Sequence, residues 1–212
     1  MFYSIFKFLE NLNHEQKIFY FAIFSFFILL CSLYFGISSL VFFHSIASSF
    51  TSFGTFLFGF DPTYSITFTT VYMLIHTPLI PWEPDKKLTK LTTFLHHAMV
   101  LIFGITELVI RKNEMTYILI QTNEISNIFL TWYHWTKSIL SGVCFAIVFF
   151  LSRVVWDTFY VFPNYILKVS LYLKFLAVPF YLVQYLWLYE IIKKFYYIVI
   201  KKSKSKKKEK ED

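Results

Sequence analysis

HHAMVLIFGITELVIRKNEMTYILIQTNEISNIFLTWYHW, residues 96–135, decides how the chain reads. It sets two adjacent histidines, three glutamates and several side-chain amides among long aliphatic and aromatic runs. In water such residues cost nothing. In hydrocarbon each is expensive unless it finds a partner, so the reading turns on which solvent surrounds the chain.

Of the 212 residues, 57% are hydrophobic and 23% aromatic, whereas 16% are charged. That is too apolar and too sparsely charged for a soluble domain of this length, and it places the chain in a lipid bilayer. Phe, Tyr, Ile and Lys are abundant and Ala and Gly scarce, a bias that AT-rich coding DNA also produces. The aromatic excess therefore carries no functional weight.

A helical span needs roughly 20 mostly apolar residues. Seven segments come close: about 18–36, 38–59, 64–81, 91–110, 115–135, 138–157 and 168–192. The runs are continuously apolar and do not alternate with period two, which favours helices over a barrel. The expectation is an all-α multi-pass membrane protein with about seven transmembrane helices. Residues 1–37 form an N-terminal segment with the first span, 38–192 the main helical domain, and 193–212 a Lys-rich, disordered cytosolic tail. The opening MFYSIFKFLENLNHEQK has charge on both sides of its apolar core and no small-residue cleavage site. It reads as a short interfacial helix, not a signal peptide.

The final KKSKSKKKEKED carries seven lysines against Glu209, Glu211 and Asp212, more than half of the formal charge of +7. With so little net charge elsewhere, a nucleic-acid partner has no support. Polybasic segments beside a span lie on the cytoplasmic side, attracted to anionic headgroups by roughly 1 kcal/mol per Lys. Seven spans put Lys86, Lys87, Lys90, Lys137 and the tail on one face, and Lys7, Lys17, Arg111, Lys112 and Lys168 on the other. The tail breaks this near-tie: the N-terminus is expected to be lumenal and the C-terminus cytosolic. Lysines at the third and fifth positions from the end, Lys210 and Lys208, resemble a dilysine retrieval signal of the endoplasmic reticulum. Cys31 and Cys144 fall inside apolar runs and read as small buried hydrophobes, not as a disulfide framework. No Asn-x-Ser/Thr sequon is present.

On the fourth segment Thr93, His96, Val100, Phe103 and Glu107 share one helical face, with His97 about a quarter-turn away. Both histidines therefore point at neighbouring helices or into an interior space. Glu107 stands four residues before Arg111, a favourable order for an ion pair. On the fifth segment Tyr117, Gln121, Glu124, Ile128 and Thr131 form one stripe, widened by Asn123, Asn127 and His134. So wide a polar arc cannot face lipid and must line a pocket or a bundle core. Arg153, followed four residues later by Asp157, reads as a snorkelling anchor paired near the lumenal end.

A His-His pair opening one span, a polar helix reading EISNIFL about 25 residues on, and a span ending FFLSRVVW together resemble the TLC domain. That fold is shared by ceramide synthases, translocating-chain-associated membrane proteins and several lipid-regulating membrane proteins. The resemblance covers about residues 38–192 and rests on His96, His97, the stretch Glu124–Leu130 and Arg153. It implies a six-helix barrel-like bundle around a lipid-accessible cavity, preceded here by one extra span. Where ceramide synthases carry His-Asp-x-x-Asp, this chain reads Asn123-Glu124-Ile125-Ser126-Asn127, and His76 stands where an Asp is common. EISNIFL is closer to the non-synthase branch, associated with membrane lipid composition, although Tyr133 and His134 follow where that branch has an Arg.

Two functions follow as expectations. In the first, His96, His97, Gln121, Glu124, Asn127 and Arg153 surround a lipid headgroup while apolar walls hold its chains. In the second, resembling ceramide synthases, His96 or His97 acts as nucleophile or base and Glu124 as the orienting carboxylate, with acyl-CoA as co-substrate and a long-chain amine as acceptor. No resident cofactor is implied. A metal site built from His76, His96, His97 and Glu124 is awkward because adjacent histidines diverge by about 100°, and a structural subunit in a larger membrane assembly, or an oligomer, is the remaining alternative.

Overall fold

The computed structural model describes residues 11–82 and 87–208, with side chains described for 11–82 and 88–197. The interfacial helix expected at the N-terminus falls largely on residues 1–10, outside the described residues, as do positions 83–86 of the PWEPDKKLTK loop.

Among the described residues the chain is all α, with no strand. Helix α1 (His14–Tyr34) starts on a capping box in which the Asn13 side chain accepts from the Gln16 amide at 2.9 Å and Gln16 accepts in return from Asn13 N–H at 3.1 Å. Gly36, at φ 104°, turns the chain into α2 (Ile37–Phe58), and Gly59, at φ 71°, closes that helix in the left-handed region a side chain would strain. Asp61 caps α3 (Pro62–His76), with Pro62 in the first turn where its missing N–H is harmless. A 3₁₀ turn, Thr77–Trp82, leads toward α4 (Lys87–Ile110). Then follow α5 (Glu114–Gln121), a 3₁₀ turn at Thr122–Glu124, α6 (Ile125–Thr136) and α7 (Ile139–Phe149), whose Ser138 cap accepts from Ser141 N–H at 3.1 Å. The helix continues as a π-helix over Phe150–Val161, passes through α8 (Phe162–Asn164) and a 3₁₀ turn at Ile166–Lys168, and reverses into α9 (Leu171–Lys208).

Among the described residues there are seven helical legs, of which five are long and apolar enough to cross a membrane: His14–Tyr34, Ile37–Phe58, Leu88–Ile110, Ile139–Lys168 and Leu171–Tyr197. These mark the chain as an integral membrane protein. The two legs that fall short are the third and fifth of the seven expected. At 15 residues α3 is too short, and the α5–α6 leg is broken by its 3₁₀ turn. Both are polar, and both are packed between longer legs. α3 packs against α1, α2 and α4, while α5 and α6 pack against α2. Their backbones and hydroxyls are therefore sheltered by the longer legs rather than by their own side chains.

The remaining contacts run from α4 to α9, from α9 to the π-helix, from α7 to α6 and from α6 back to α2. Six legs so form a closed circuit, with α1 outside it against α2 and α3. The outward faces are apolar, as on Phe27, Phe50, Val109 and Phe175. Such faces are stable in contact with lipid tails.

Two local expectations fail. Cys31 is exposed and Cys144 half-buried, so both face outward where lipid accepts a thiol as readily as a protein core does. And α9 runs on as helix through the lysine-rich stretch to Lys208, where disorder from residue 193 was expected.

Candidate functional site

α2 and α3 meet along a ladder of small polar groups. His44, Ser48 and Ser52 recur every turn of α2, facing Ser65, Thr69 and Tyr72 of α3. Ser52 and Ser65 hydroxyls are 2.9 Å apart, Ser48 and Thr69 3.2 Å, and both Ser48 and Thr69 donate to Gln121 Oε1, at 3.0 and 3.2 Å. His44, fully buried, stacks on Tyr72 with ring centres 3.6 Å apart.

The ladder leads to a buried ion cluster. Glu124, on the 3₁₀ turn that breaks the fifth leg, lies 3.6 Å from His44 Nδ1 and 3.8 Å from an Arg153 terminal nitrogen, and it accepts from Asn127 Nδ2 at 2.7 Å. Arg153 projects from the π-helix and donates to Ser126 Oγ at 2.8 Å, Gln184 Oε1 at 3.0 Å and Asn127 Oδ1 at 3.3 Å, its guanidinium resting over the Phe149 and Trp187 rings. Four elements thus share one cation, whose planar fork of five donors suits many acceptors at once. This corrects the snorkelling role expected for Arg153, which is 2% exposed. Asp157 does not pair with it. One turn along the π-helix, Asp157 accepts from Asn123 Nδ2 at 2.6 Å instead. π-helical segments recur at functional sites because their wider winding re-aims side chains.

The histidine pair is buried, as its helical face implies. His97 Nδ1 lies 3.2 Å from the Thr77 hydroxyl, its ring against His76 and Tyr72, and Tyr72 Oη is 3.0 Å from His76 Nδ1. His96 packs against Phe180 and Trp187 of α9. Neither histidine is hydrogen-bonded or ion-paired to Glu124; the histidine that meets Glu124 is His44. Of the six residues expected around a headgroup, Glu124, Asn127 and Arg153 touch one another. Gln121 joins them through the ladder, His96 through Trp187, and His97 belongs to a second aromatic cluster with His76. Among the described residues no three His, Cys, Asp or Glu side chains converge as metal ligands.

Sequence reasoning missed His44, Gln184 and the Asn123–Asp157 pair. The polar stripe of His44, Ser48, Ser52 and Thr55 was legible at helical spacing, whereas Gln184 is a lone amide inside an apolar run, without the flanking polar stripe that had singled out Gln121.

The cluster is packed shut. The free space lies beside it, as an apolar seam between α4 and α9 walled by Met99, Phe103, Leu173, Ala177 and Phe180, with Gln121 at its inner side. Its void of about 30 Å³ holds two or three waters at the ~10–15 Å³ each requires, so an acyl chain enters only as α9 parts from α4. Phe180 lines the seam and packs against His96, which reaches the cluster through Trp187.

At the end of the molecule where α1 and α3 begin, charges pair differently from expectation. Glu107 accepts from the Asn113 backbone N–H at 2.6 Å and from Asn113 Nδ2 at 3.2 Å, so the Glu107–Arg111 pair does not form. Arg111, at φ 58°, leaves the helix and pairs with Glu114 at 2.7 Å, a bond that holds its guanidinium charged more firmly than usual. Lys17 pairs with Asp61, also at 2.7 Å.

No family model, no curated protein and no solved structure matches this chain.

Proposed function

We propose that the chain is a TLC-type integral membrane protein that binds or regulates membrane lipids, acting in the endoplasmic reticulum with a lumenal N-terminus and a cytosolic tail. The observation that carries this reading is the apolar α4–α9 seam with one polar residue of the buried ladder, Gln121, in its wall. Apolar walls beside a few converging polar groups are what a lipid-sized ligand requires. The closed circuit of six legs with one extra leg outside it supports the family resemblance, as does the order His96-His97, Glu124–Leu130, Arg153 along the chain.

A ceramide synthase-like N-acyltransferase is the second reading, favoured by one contact: His44 Nδ1 stands 3.6 Å from Glu124, a base beside an orienting carboxylate. In that reading His44, rather than His96 or His97, is the base.

Native mass spectrometry of the detergent-purified chain tests both. The lipid reading expects co-purifying lipid that is lost in Ala177→Trp, whose indole overfills the seam's void of about 30 Å³, read on variant protein that stays monodisperse; wild-type protein without lipid, or a variant that keeps it, overturns the reading. The transferase reading expects amide product from acyl-CoA and a long-chain amine, abolished in His44→Ala. Product formed at the wild-type rate by that variant removes His44 from the chemistry.

A further inference from the structure

Beyond the seam, a second cavity opens at the end of the molecule where α4 passes into α5 and α8 into α9. It measures about 490 Å³ and is lined by Lys112, Asn113, Thr116, Tyr160, Asn164 and Lys168 among others. Val169 belongs to the walls of both this cavity and the apolar seam, so the two adjoin.

Charge is left over there. The nearby carboxylates are engaged, Glu114 by Arg111 and Glu107 by two N–H groups of Asn113. Lys112 and Lys168 enter no ion pair among the described residues. Two lysines without an ion-pair partner thus line one cavity from two different loops, with amides and phenols between them, and Arg111, Lys112 and Lys168 against Glu107 and Glu114 leave this end a net charge of +1. Behind that cavity runs a seam with an almost wholly apolar lining.

We propose that this cavity receives the phosphate of an anionic lipid, held between Lys112 and Lys168, while one acyl chain of the same molecule occupies the α4–α9 seam. This rests on the lipid-binding reading and adds to it the charge of the headgroup and the end of the molecule at which it sits. Ammonium groups recognise phosphate as point charges, and at a membrane surface each adds to the attraction for an anionic lipid. The buried cluster at Arg153 is then not the headgroup site. Three of its five N–H groups already donate to Ser126, Gln184 and Asn127, and Glu124 stands beside it as counter-ion.

The test uses the full chain in neutral detergent, titrated with dioleoyl phosphatidylglycerol or dioleoyl phosphatidylcholine and read by native mass spectrometry. Wild-type protein is expected to prefer the anionic lipid by roughly tenfold or more, as two lysines near the surface would give. The Lys112→Gln/Lys168→Gln variant is expected to bind both lipids about equally, while Ala177→Trp binds neither. A preference that survives in the lysine variant overturns the proposal, because the charge is then read elsewhere, as by the tail. Equal binding of the two lipids by wild type overturns it too. If inorganic phosphate alone displaces phosphatidylglycerol as well as its own lipid form does, the site takes a soluble anion and the lipid source is wrong. Wild type that binds neither lipid sinks the lipid reading itself, whereas loss of preference with binding intact sinks this inference alone.

Discussion

The two short legs and the five long ones solve opposite problems. α3, α5 and the 3₁₀ turn after it carry hydroxyls, amides and the Glu124 carboxylate and are mostly enclosed, and α6 buries Ser126 and Thr131 while its last turn is exposed; α1 buries little and turns Phe19, Phe24 and Phe27 outward. In a bilayer the polar helix must be inside, because lipid offers a carboxylate or amide no partner. Legs too short or too polar to span on their own can exist only packed between legs that do. The interior is therefore held by specific polar contacts and the exterior by an apolar surface that makes few of them.

The sharpest way to break that contrast is Arg153→Met. It leaves Glu124, Gln184 and Ser126 facing an apolar side chain in a dry interior, and losing one partner of a buried pair costs about 3–5 kcal/mol. Thermal unfolding of the purified protein in detergent should show a large drop in Tm or loss of a monodisperse species. Adding Glu124→Gln should recover part of the loss, since the two single costs count one interaction twice. An unchanged Tm in the single variant would mean that the cluster is solvated and the interior is not what holds the fold.

His44→Ala comes next. It removes a ring stacked at 3.6 Å on Tyr72 and leaves a hole between α2 and α3, at a cost of about 2–4 kcal/mol by analogy with other large-to-small core changes. Tm and the yield of folded protein should both fall, and a neutral result would dissolve the α2–α3 ladder as a source of stability. Gly104→Ala probes closeness instead of polarity. A Cβ there would lie 2.6 Å from Thr70 Oγ1 and 3.0 Å from Tyr117 Oη, so α4 has to move away from α3 and α5 or Thr70 has to rotate. Overpacking of this kind costs about 1–3 kcal/mol. The same Tm assay reads it, and no loss would mean that Thr70 yields freely.

What was legible in the sequence follows the same division. Apolar runs announce themselves by composition, so the seven legs, their order and the inward faces of His96, His97 and Glu124 could be read residue by residue. The shortfall of the third and fifth legs could not, since hydropathy alone does not say that a 15-residue helix is sheltered by its neighbours. Nor could the partners of Arg153. Spacing suggested Asp157 four residues on, but a π-helix winds differently from the α-helix that the rule assumes, and the residues that satisfy Arg153 come from segments 26 to 31 positions away. His44 was overlooked because a histidine among serines in a hydrophobic run looks like dilution of the span, when it was half of an interface whose other half lay on α3.

The smallest expected effect lies at the boundary between interior and surface, at the Lys17–Asp61 contact. Burial by itself would raise the Asp61 carboxyl, but hydrogen bonds from Lys17 and Thr63 outweigh it and hold the group below the usual carboxylate range. A folded-state pKa lower than the unfolded one, which is about 4, gives stability that is present above that pH and lost as pH falls through the folded value. Because both side chains are partly exposed, 19% and 24%, screening leaves a contribution on the order of 0.2–1 kcal/mol, toward the low end. Asp61→Asn keeps the helix cap and removes the charge. Its Tm should lie slightly below wild type at neutral pH and converge with it only as pH falls from ~4 through the depressed folded-state value, where the wild-type carboxyl is protonated too. If the two curves instead coincided at neutral pH as well, the cap, which Asn keeps, and not the ion pair would be what Asp61 supplies. The comparison would then sharpen further: even at its polar rim, this protein would be held by hydrogen bonds to its own backbone and not by charge.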